Sequence, residues 1–508
     1  MNKIDDKNLD VVKVLMSSSN NESQSIHITS EVLDPATSNF NPDGEIIFNI
    51  RKAGVINKSS AVHITVKGSN AVSRLTIAGG VFGLFKRAEL RTSKGVSICQ
   101  SEGIGDLAAM RNKFTEMSVR EKRGVLLNGT YECYQSLLHN QSTSNAAEQV
   151  AYRLKGDYAA GAGDKPIQYR LGTNEIEYQI TLEQLFPESV YYQLPVFLID
   201  GNLQLVLTCN DQLERGTASN GDPDDLPGGT NGNTIDIVKC QYVSDHLFFD
   251  SKTMQQLRAK SETSGIPIPY NDFNLVNLTL NSPNTAIAGD ANEQKEFRKF
   301  LGLSGLDLKY MMFQQQPDPK DTDSVKRNMI NGGYCSRGSW YGGTNTDRKG
   351  GVELNVIVNN QQYYPIDIQK DSRFYSELEL IHKRPICVPR HVYSASGAVV
   401  DERLKADSTG QNTALNLPSS NNLLSTETYY GVSQQENLTS NSNYLGINFA
   451  TVPGAVLNSG RKVGFSPIEL KYLRQFTEKN DDNLLLKVFA CVGRIMVIRN
   501  GEVAVSFS

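Results

Sequence analysis

The chain has 508 residues, 39% apolar and 21% charged, with 51 Lys and Arg against 55 Asp and Glu and a formal net charge of −4. This near-balance supplies no basic surface of the kind that neutralises a phosphate backbone, so no specific nucleic-acid partner is expected. No apolar run approaches the ~18 residues that a membrane-spanning helix needs, and residues 1–21, polar and mixed in charge, lack the apolar centre of a secretory signal.

At about 150 residues per domain the length suggests three domains, but all-β sandwiches often run to about 200–250 residues, so two large β domains fit equally well. Either size is long enough to bury a core without staples. The seven cysteines, Cys99, Cys133, Cys209, Cys240, Cys335, Cys387 and Cys491, are scattered with no C-x-x-C. They are expected to be reduced thiols. Without an export signal, the sequons at Asn277 and Asn437 are expected to be incidental.

Residues 1–30 are expected to be an arm. Leu9, Val12, Val14, Leu15 and Met16 suit a short helix, and 17–25 is a Ser/Asn-rich polar tract. Strand signals begin at Gly44: Ile46, Phe48 and Ile50 alternate, as do Val62, Ile64 and Val66. Leu107, Met110, Phe114 and Met117 recur at helical spacing, which predicts a helix from Asp106 to about Lys122. Residues 140–174 are polar and Gly-rich and read as a long loop. The segment 194–208 predicts a hairpin turning at Asp200-Gly201. Residues 210–233, dense in Gly, Asp, Asn and Pro, read as a long loop.

A strand is predicted over 235–249, a helix over 251–259, and strands over 274–280 and 306–314. Residues 315–350, which hold the only tryptophan, Trp340, break the pattern and place a domain boundary there. The second half restarts with strands over 352–358 and 363–368 around a turn at Asn359-Asn360. Long polar stretches fill 394–428, and strands follow over 444–452 and 468–476. In the latter, two signals compete. Ser466, Pro467 and Glu469 have the form of a capping box, whereas Ile468, Leu470 and Tyr472 alternate at period two; the alternation predicts a strand. Asn500-Gly501 accepts positive φ at both turn centres. It follows the apolar run from Leu484 and precedes Val503, Val505 and Phe507 at every second position, which predicts a closing hairpin. Strands, two-residue turns and long inserted loops in both halves suggest two β-sandwiches in tandem.

The search for chemistry is mostly negative. Gly156 to Lys165 superficially resembles a phosphate loop, but Ala162 follows Gly161 where Lys is required, and no βαβ unit surrounds it. His382, Cys387 and His391 lie within ten residues, yet two prolines and extended flanks separate them more than a tetrahedral zinc site allows. Glu183 and Glu188 show no pairing logic for glycoside cleavage. No G-x-S-x-G occurs, and six scattered histidines nominate no base. Arg120 to Arg123 reads as a solvated face at a helix end, with an inter-subunit ion pair as the alternative. No catalytic residue, cofactor, metal or small-molecule substrate is expected.

The closing segments carry a resemblance. Tyr444 to Gly454 holds F-A-x-x-P-G; Asn458-Ser459-Gly460, then Val463 to Ser466, then Arg494 to Gly501 follow it in order. This series resembles the second jelly roll of large-DNA-virus major capsid proteins. Glu353 to Asn360, continuing through Phe374-Tyr375, resembles the early strands of that domain. His246 to Asp250 and Leu306 to Gln314 resemble the end of the first. In size and style the chain is similar to virophage and polinton-like capsid proteins, mavirus-like in particular. The matches cover about a third of the chain, and 1–190 adds little.

The resemblance implies an all-β double jelly roll of two eight-stranded sandwiches, with an arm over 1–30, a first jelly roll over 31–316 and a second over 317–508. It implies a non-enzymatic structural protein of the virion, assembled in the host cytoplasm. Homotrimeric, pseudo-hexameric capsomers would tile an icosahedral shell with neighbouring capsomers, penton and minor capsid proteins. Loops 210–233 and 394–428 would form outer towers, the arm would face inward, and the last hairpin would lock the second sandwich. A precursor extending past Ser508 is left open. The alternatives are a trimeric viral fibre or attachment protein and a carbohydrate-active β-sandwich.

Overall fold

The computed structural model describes residues 27–57, 59–69, 73–75, 79–112, 127–129, 173, 175–189, 194–218, 234–280, 293–317, 353–358, 360–363, 371–382, 391–393, 399–401, 444–450, 461–463, 468–476 and 484–507. In chain order the strands are β1 His27–Leu33, β2 Thr37–Ser38, β3 Glu45–Ile50, β4 Val55–Ile56, β5 Ala61–Gly68, β6 Ser73–Leu75, β7 Phe85–Thr92, β8 Ser97–Glu102, β9 Ile176–Thr181, β10 Leu203–Cys209, β11 Gly216–Ala218 and β12 Ile235–Phe248. Then come β13 Ile266–Leu280, β14 Glu293–Phe300, β15 Asp307–Pro317, β16 Glu353–Val358, β17 Gln361–Gln362, β18 His391–Tyr393, β19 Val399–Asp401, β20 Tyr444–Asn448, β21 Arg461–Lys462, β22 Glu469–Phe476, β23 Leu484–Arg499 and β24 Glu502–Phe507. The α-helices are α1 Ile104–Asn112, α2 Leu182–Leu185, α3 Gln212–Arg215, α4 Ser251–Thr263 and α5 Asp371–His382.

Two sandwiches result. In the first, a sheet ordered β1-β12-β5-β9, with β4 on β12, faces a sheet ordered β2-β3-β10-β7-β8. Period-two alternation builds its core. Ile46, Phe48 and Ile50 of β3 and Val62, Ile64 and Val66 of β5 turn inward and are fully buried. Each such side chain contributes ~1.5–3 kcal/mol by leaving water. In the second, a sheet ordered β13-β23-β15-β20, with β21 on β15 and β24 on β23, faces a sheet ordered β14-β22-β16-β17. Leu354, Val356 and Val358 of β16 and Ile468, Leu470 and Tyr472 at β22 fill its centre. The alternation at 468–472 therefore prevails over the capping-box signal. Among the described residues the four sheets of the sandwiches hold five, five, six and four strands, rather than four each, and β6 with β11 and β18 with β19 form two further two-stranded sheets.

Several expectations change. The segment 194–208 is not a hairpin. Val196–Leu198 is a 3₁₀ turn, and β10 lies between β3 and β7. Leu194 and Val196 to Ile199 are all buried, so this stretch has no solvent face to give it a strand's alternation. It plugs the sandwich through the Ile56 N–H to Leu194 carbonyl bond at 3.2 Å and the Phe197 N–H to Gly54 carbonyl bond at 3.3 Å. The helix expected from Asp106 begins at Ile104, and its expected extension past Asn112 lies outside the described residues. Helix α4 runs four residues beyond the expected end at 259, started by the Asp250 carboxylate accepting from the Thr253 N–H at 2.8 Å.

Strand β13 starts at Ile266, ahead of the expected 274. Pro267 and Pro269 are tolerated because β13 is an edge strand. Strand β14 was not expected, since its charged residues hide the alternation. Phe374-Tyr375, taken as an early strand, lies in helix α5, where Leu378 and Ile381, three apart, turn inward. The expected loop 210–233 opens with α3 and β11, and the buried Arg215 there donates to the carbonyls of Asn210, Ile235 and Phe40.

The expected boundary after 316 does not separate the sheets. Strands β13, β14 and β15, all before 318, belong to the sheets of the second sandwich. The arm's last residues, from His27, form strand β1 on β12. Residues 1–26, most of 140–174, 219–233, 318–350, 364–370 and 402–443 lie outside the described residues, so the expectations placed there, Trp340 and most of both tower loops among them, do too.

Candidate functional site: the joint between sandwiches and the exposed edges

The two sandwiches share one ribbon. Strand β13 pairs with β23 antiparallel from Ile266 opposite Ile498 to Leu280 opposite Leu484. At one end Ile266, Ile268, Tyr270, Met496 and Ile498 belong to the first core. At the other, Leu278, Leu486, Val488, Ala490 and Val492 belong to the second. Between them, Phe273, Tyr310, Met312, Phe489 and Cys491 pack beneath Leu107 and Met110 of α1 and Leu378 and Ile381 of α5. A Cβ at Gly446 of β20 would come within 2.8 Å of both Leu378 and Ile381, so that glycine lets α5 lie on the sheet.

Side chains of the ribbon also satisfy the edge of the first sandwich. Strand β8 ends its sheet, and its outer backbone groups need partners. The Tyr270 hydroxyl donates to the Ile98 carbonyl, and the Asp272 carboxylate accepts from the Gln100 N–H at 3.3 Å. Arg494 Nε lies 3.2 Å from the other Asp272 oxygen, and Arg494 Nη2 donates to Asn274 at 3.2 Å. Burial raises the Asp272 carboxyl to about 6, against the opposing pull of Arg494 and of the backbone N–H groups. Asp106 of α1 is fully buried and accepts from Gln314 Nε2 of β15 at 2.8 Å and from Lys487 Nζ of β23.

The closing hairpin is present. Asn500 and Gly501 have φ of 51° and 82°, as its Asn-Gly turn requires. Its contacts differ from expectation: it secures the first sandwich, not the second. Val503 and Val505 pack on the first core. The Asp200 N–H donates to the Gly501 carbonyl at 2.8 Å, and the Ser261 hydroxyl donates to the Ile498 carbonyl at 3.3 Å.

The residues weighed for chemistry do not converge. His382 ends α5, where burial and then the Arg111 charge lower its imidazole to about 3. His391 lies on β18, while Cys387, Gly156 to Lys165 and Arg120 to Arg123 lie outside the described residues. Glu183 sits in α2, and Glu188, at φ 67°, faces Arg111 at 3.8 Å. Among the described residues no group of three His, Cys, Asp or Glu could hold a metal ion. Cys99, Cys209, Cys240 and Cys491 are buried free thiols. Burial raises each, Cys209 to about 11 with Arg215 opposing.

The outer surface carries apolar side chains at sheet edges. On β1, Ile28 and Val32 are 53% and 60% exposed, and Phe300 at the end of edge strand β14 is 67% exposed. Exposed apolar side chains grouped at an edge are candidates for contact with another chain. Sequence reasoning gave Ile28 only to the arm of 1–30 and placed no function at Val32 or Phe300, although Ile28 and Val32, four apart, fall on one face of an extended strand.

No protein-family model matches the chain, and no curated protein sequence matches it. Solved structures do match in fold. The crystal structure of PBCV-1 VP54, fitted into a cryo-EM reconstruction of the virophage Sputnik, is 10% identical with a TM-score of 0.53, over 96% of this chain and 98% of that one. The Sputnik virophage structure by cryo-EM is 11% identical with a TM-score of 0.52, over 96% and 91%. The quasi-atomic model of the PBCV-1 capsid is 12% identical with a TM-score of 0.51, over 96% and 98%. The described residues thus have the double jelly-roll fold of these structures.

Proposed function

We propose that this chain is a major capsid protein of a virus of the virophage or large-DNA-virus type. The observation that carries the reading is the whole-length likeness to structures of the PBCV-1 capsid and the Sputnik virophage. A shared single domain would be weak support, because common folds host many functions. Two sandwiches fused through one ribbon, matched over almost the whole of both chains, form a far more particular arrangement. The role is structural. The protein acts in the virion, after assembly in the host cytoplasm, and its work is shape and interface area rather than catalysis.

Homotrimers form the capsomer and meet neighbouring capsomers, penton and minor capsid proteins. The exposed edges at β1 and β14 support this reading, because they place apolar side chains where a neighbour would cover them. Obligate interfaces of this kind commonly bury ~2,000–5,000 Å². Light scattering of the purified protein across concentration and ionic strength tests it. The expected result is a stable species at three times the chain mass of 56.1 kDa, growing into larger regular assemblies. A persistent monomer would overturn the reading. A trimer that never grows would point instead to a fibre or attachment protein.

A further inference from the structure

We propose that Lys487 and Gln314 join through a self-formed isopeptide bond, with Asp106 as the proton carrier. The two residues lie directly opposite each other on β23 and β15. Asp106 reaches over both from the first turn of α1. One of its oxygens accepts from Gln314 Nε2 at 2.8 Å, and the other accepts from Lys487 Nζ. Asp106 and Gln314 are fully buried, and Lys487 is 5% exposed. Met312 and Phe489, the next residues on the same face, belong to an apolar cluster with Leu107 and Met110. An amine, a carboxamide and a carboxyl group held together out of water form the complete reagent set for transamidation.

The surroundings favour the chemistry. The first step is the passage of a proton from Lys487 to Asp106 along their contact, which leaves a neutral amine and a neutral acid. The neutral amine is the nucleophile. The Oε1 of Gln314 is buried and accepts no hydrogen bond. A flip of the carboxamide, whose O and N are interchangeable in shape, turns that oxygen to the newly protonated Asp106.

The lone pair of Lys487 Nζ then attacks Gln314 Cδ, and a C–N bond forms. Asp106 gives its proton to the departing nitrogen and takes one from the attacking nitrogen. The C–Nε2 bond breaks, the carbonyl re-forms, and one ammonia leaves. The net change is amine plus carboxamide to secondary amide plus ammonia, with no oxidant or other reactant. Fixed placement replaces a bimolecular encounter, which is why a slow reaction becomes accessible. Asp106 is the better proton carrier than acceptor, because attack on its own carboxyl would consume the group that moves the proton. The product staples the closing strand to β15, beside the helix that the first sandwich contributes. This inference stands independently of the capsid reading.

Mass spectrometry of the full-length protein, purified and then denatured, tests it. The expected mass is below the sequence mass by one ammonia, with a branched peptide joining Lys487 to Gln314 in a protease digest. The full sequence mass would overturn the proposal and leave a buried ion pair. Loss of one water with a branch to Asp106 would overturn the choice of acceptor. Ammonia loss without a branch would also overturn it, since Asn500-Gly501 can lose ammonia by closing to a succinimide. The variant Lys487→Arg keeps the positive charge beside Asp106 but lacks the nucleophilic amine. It should fold and run at its full sequence mass, and loss of ammonia from it would count against the bond.

Discussion

The two halves of β23 sit in different surroundings. Residues 486–493 are buried without interruption, because the second core lies on one face and α1 and α5 cover the other. Residues 494–499 alternate: Met496 and Ile498 point into the first core while Ile495 and Val497 are half-buried. One strand thus passes from a site closed on both faces to one closed on a single face, and its residues follow. A near-continuous apolar run gives way to period two at Arg494. The lesson concerns dependence. The second sandwich holds β13 to β15 from the middle of the chain and β16, β17 and β20 to β23 from its end. The first is built mostly from residues before 250, yet its core is completed by residues 266–270 and 496–505. Its final closure waits on the end of the chain, and pairings over such sequence separations form slowly.

The sharpest way to break this comparison is to cut one core at a time within the same strand. Ile498→Ala removes a fully buried side chain from the first core and Leu486→Ala one from the second. Each should cost about 2–5 kcal/mol. Hydrogen exchange should separate them. Ile498→Ala should lower protection in β8 and the first half of β13, and Leu486→Ala in β16 and β22. Equal loss in both sandwiches from either variant would mean that the ribbon unfolds as one unit with both cores.

The ribbon's pairing was partly readable in advance and partly hidden, for physical reasons. Strands with one wet face, such as β3, β5 and β22, announced themselves by alternation. The closing hairpin did so through Asn500-Gly501. The first half of β13 was masked by Pro267 and Pro269, which suit an edge strand but look like breakers. Helix α5 was missed because the capsid-like segment around Phe374 suggested a strand. The Asp106–Gln314–Lys487 group joins residues as far as 381 positions apart, and no local pattern reports such a contact. One signal was available: Lys487 interrupts the run from Leu484 to Val492, and a charge in a buried strand needs a partner.

Acidity sharpens the comparison next, because Asp272 sits where the shared ribbon meets β8. Its folded value of about 6 lies above the ordinary 3.8. The folded state therefore holds more protons between those values, and stability falls as pH rises from about 4 to about 6. At about 1.36 kcal/mol per pKa unit, the effect is at most about 3 kcal/mol. Other carboxylates change with pH too, so the quantity to compare is the wild type minus Asp272→Asn across that window, by urea unfolding. The difference should shrink for the wild type as pH rises and level off above about 6. A difference that stays constant with pH would show that Asp272 is already charged throughout and that Arg494 outweighs its burial.

The smallest expected effect separates backbone strain from docking at the hairpin tip. Gly95 and Gly501 both hold left-handed backbone, at φ 86° and 82°. An added Cβ at Gly95 meets nothing within 4 Å, whereas at Gly501 it would fall 2.3 Å from the Asp200 carboxyl. Each Gly→Ala change carries the same cost for a non-glycine residue in this region, about 1–2 kcal/mol. Gly501→Ala should cost more by whatever it takes to move Asp200, whose N–H bonds to the Gly501 carbonyl and whose carboxylate pairs with Lys52. The carboxylate is exposed and can swing away, so the excess should be small beside the shared backbone cost. Thermal unfolding of the two variants side by side measures it. If Gly501→Ala and Gly95→Ala shift the transition equally, the tip contributes turn geometry alone, and the hold of the last hairpin on the first sandwich resides in Met496, Ile498, Val503 and Val505.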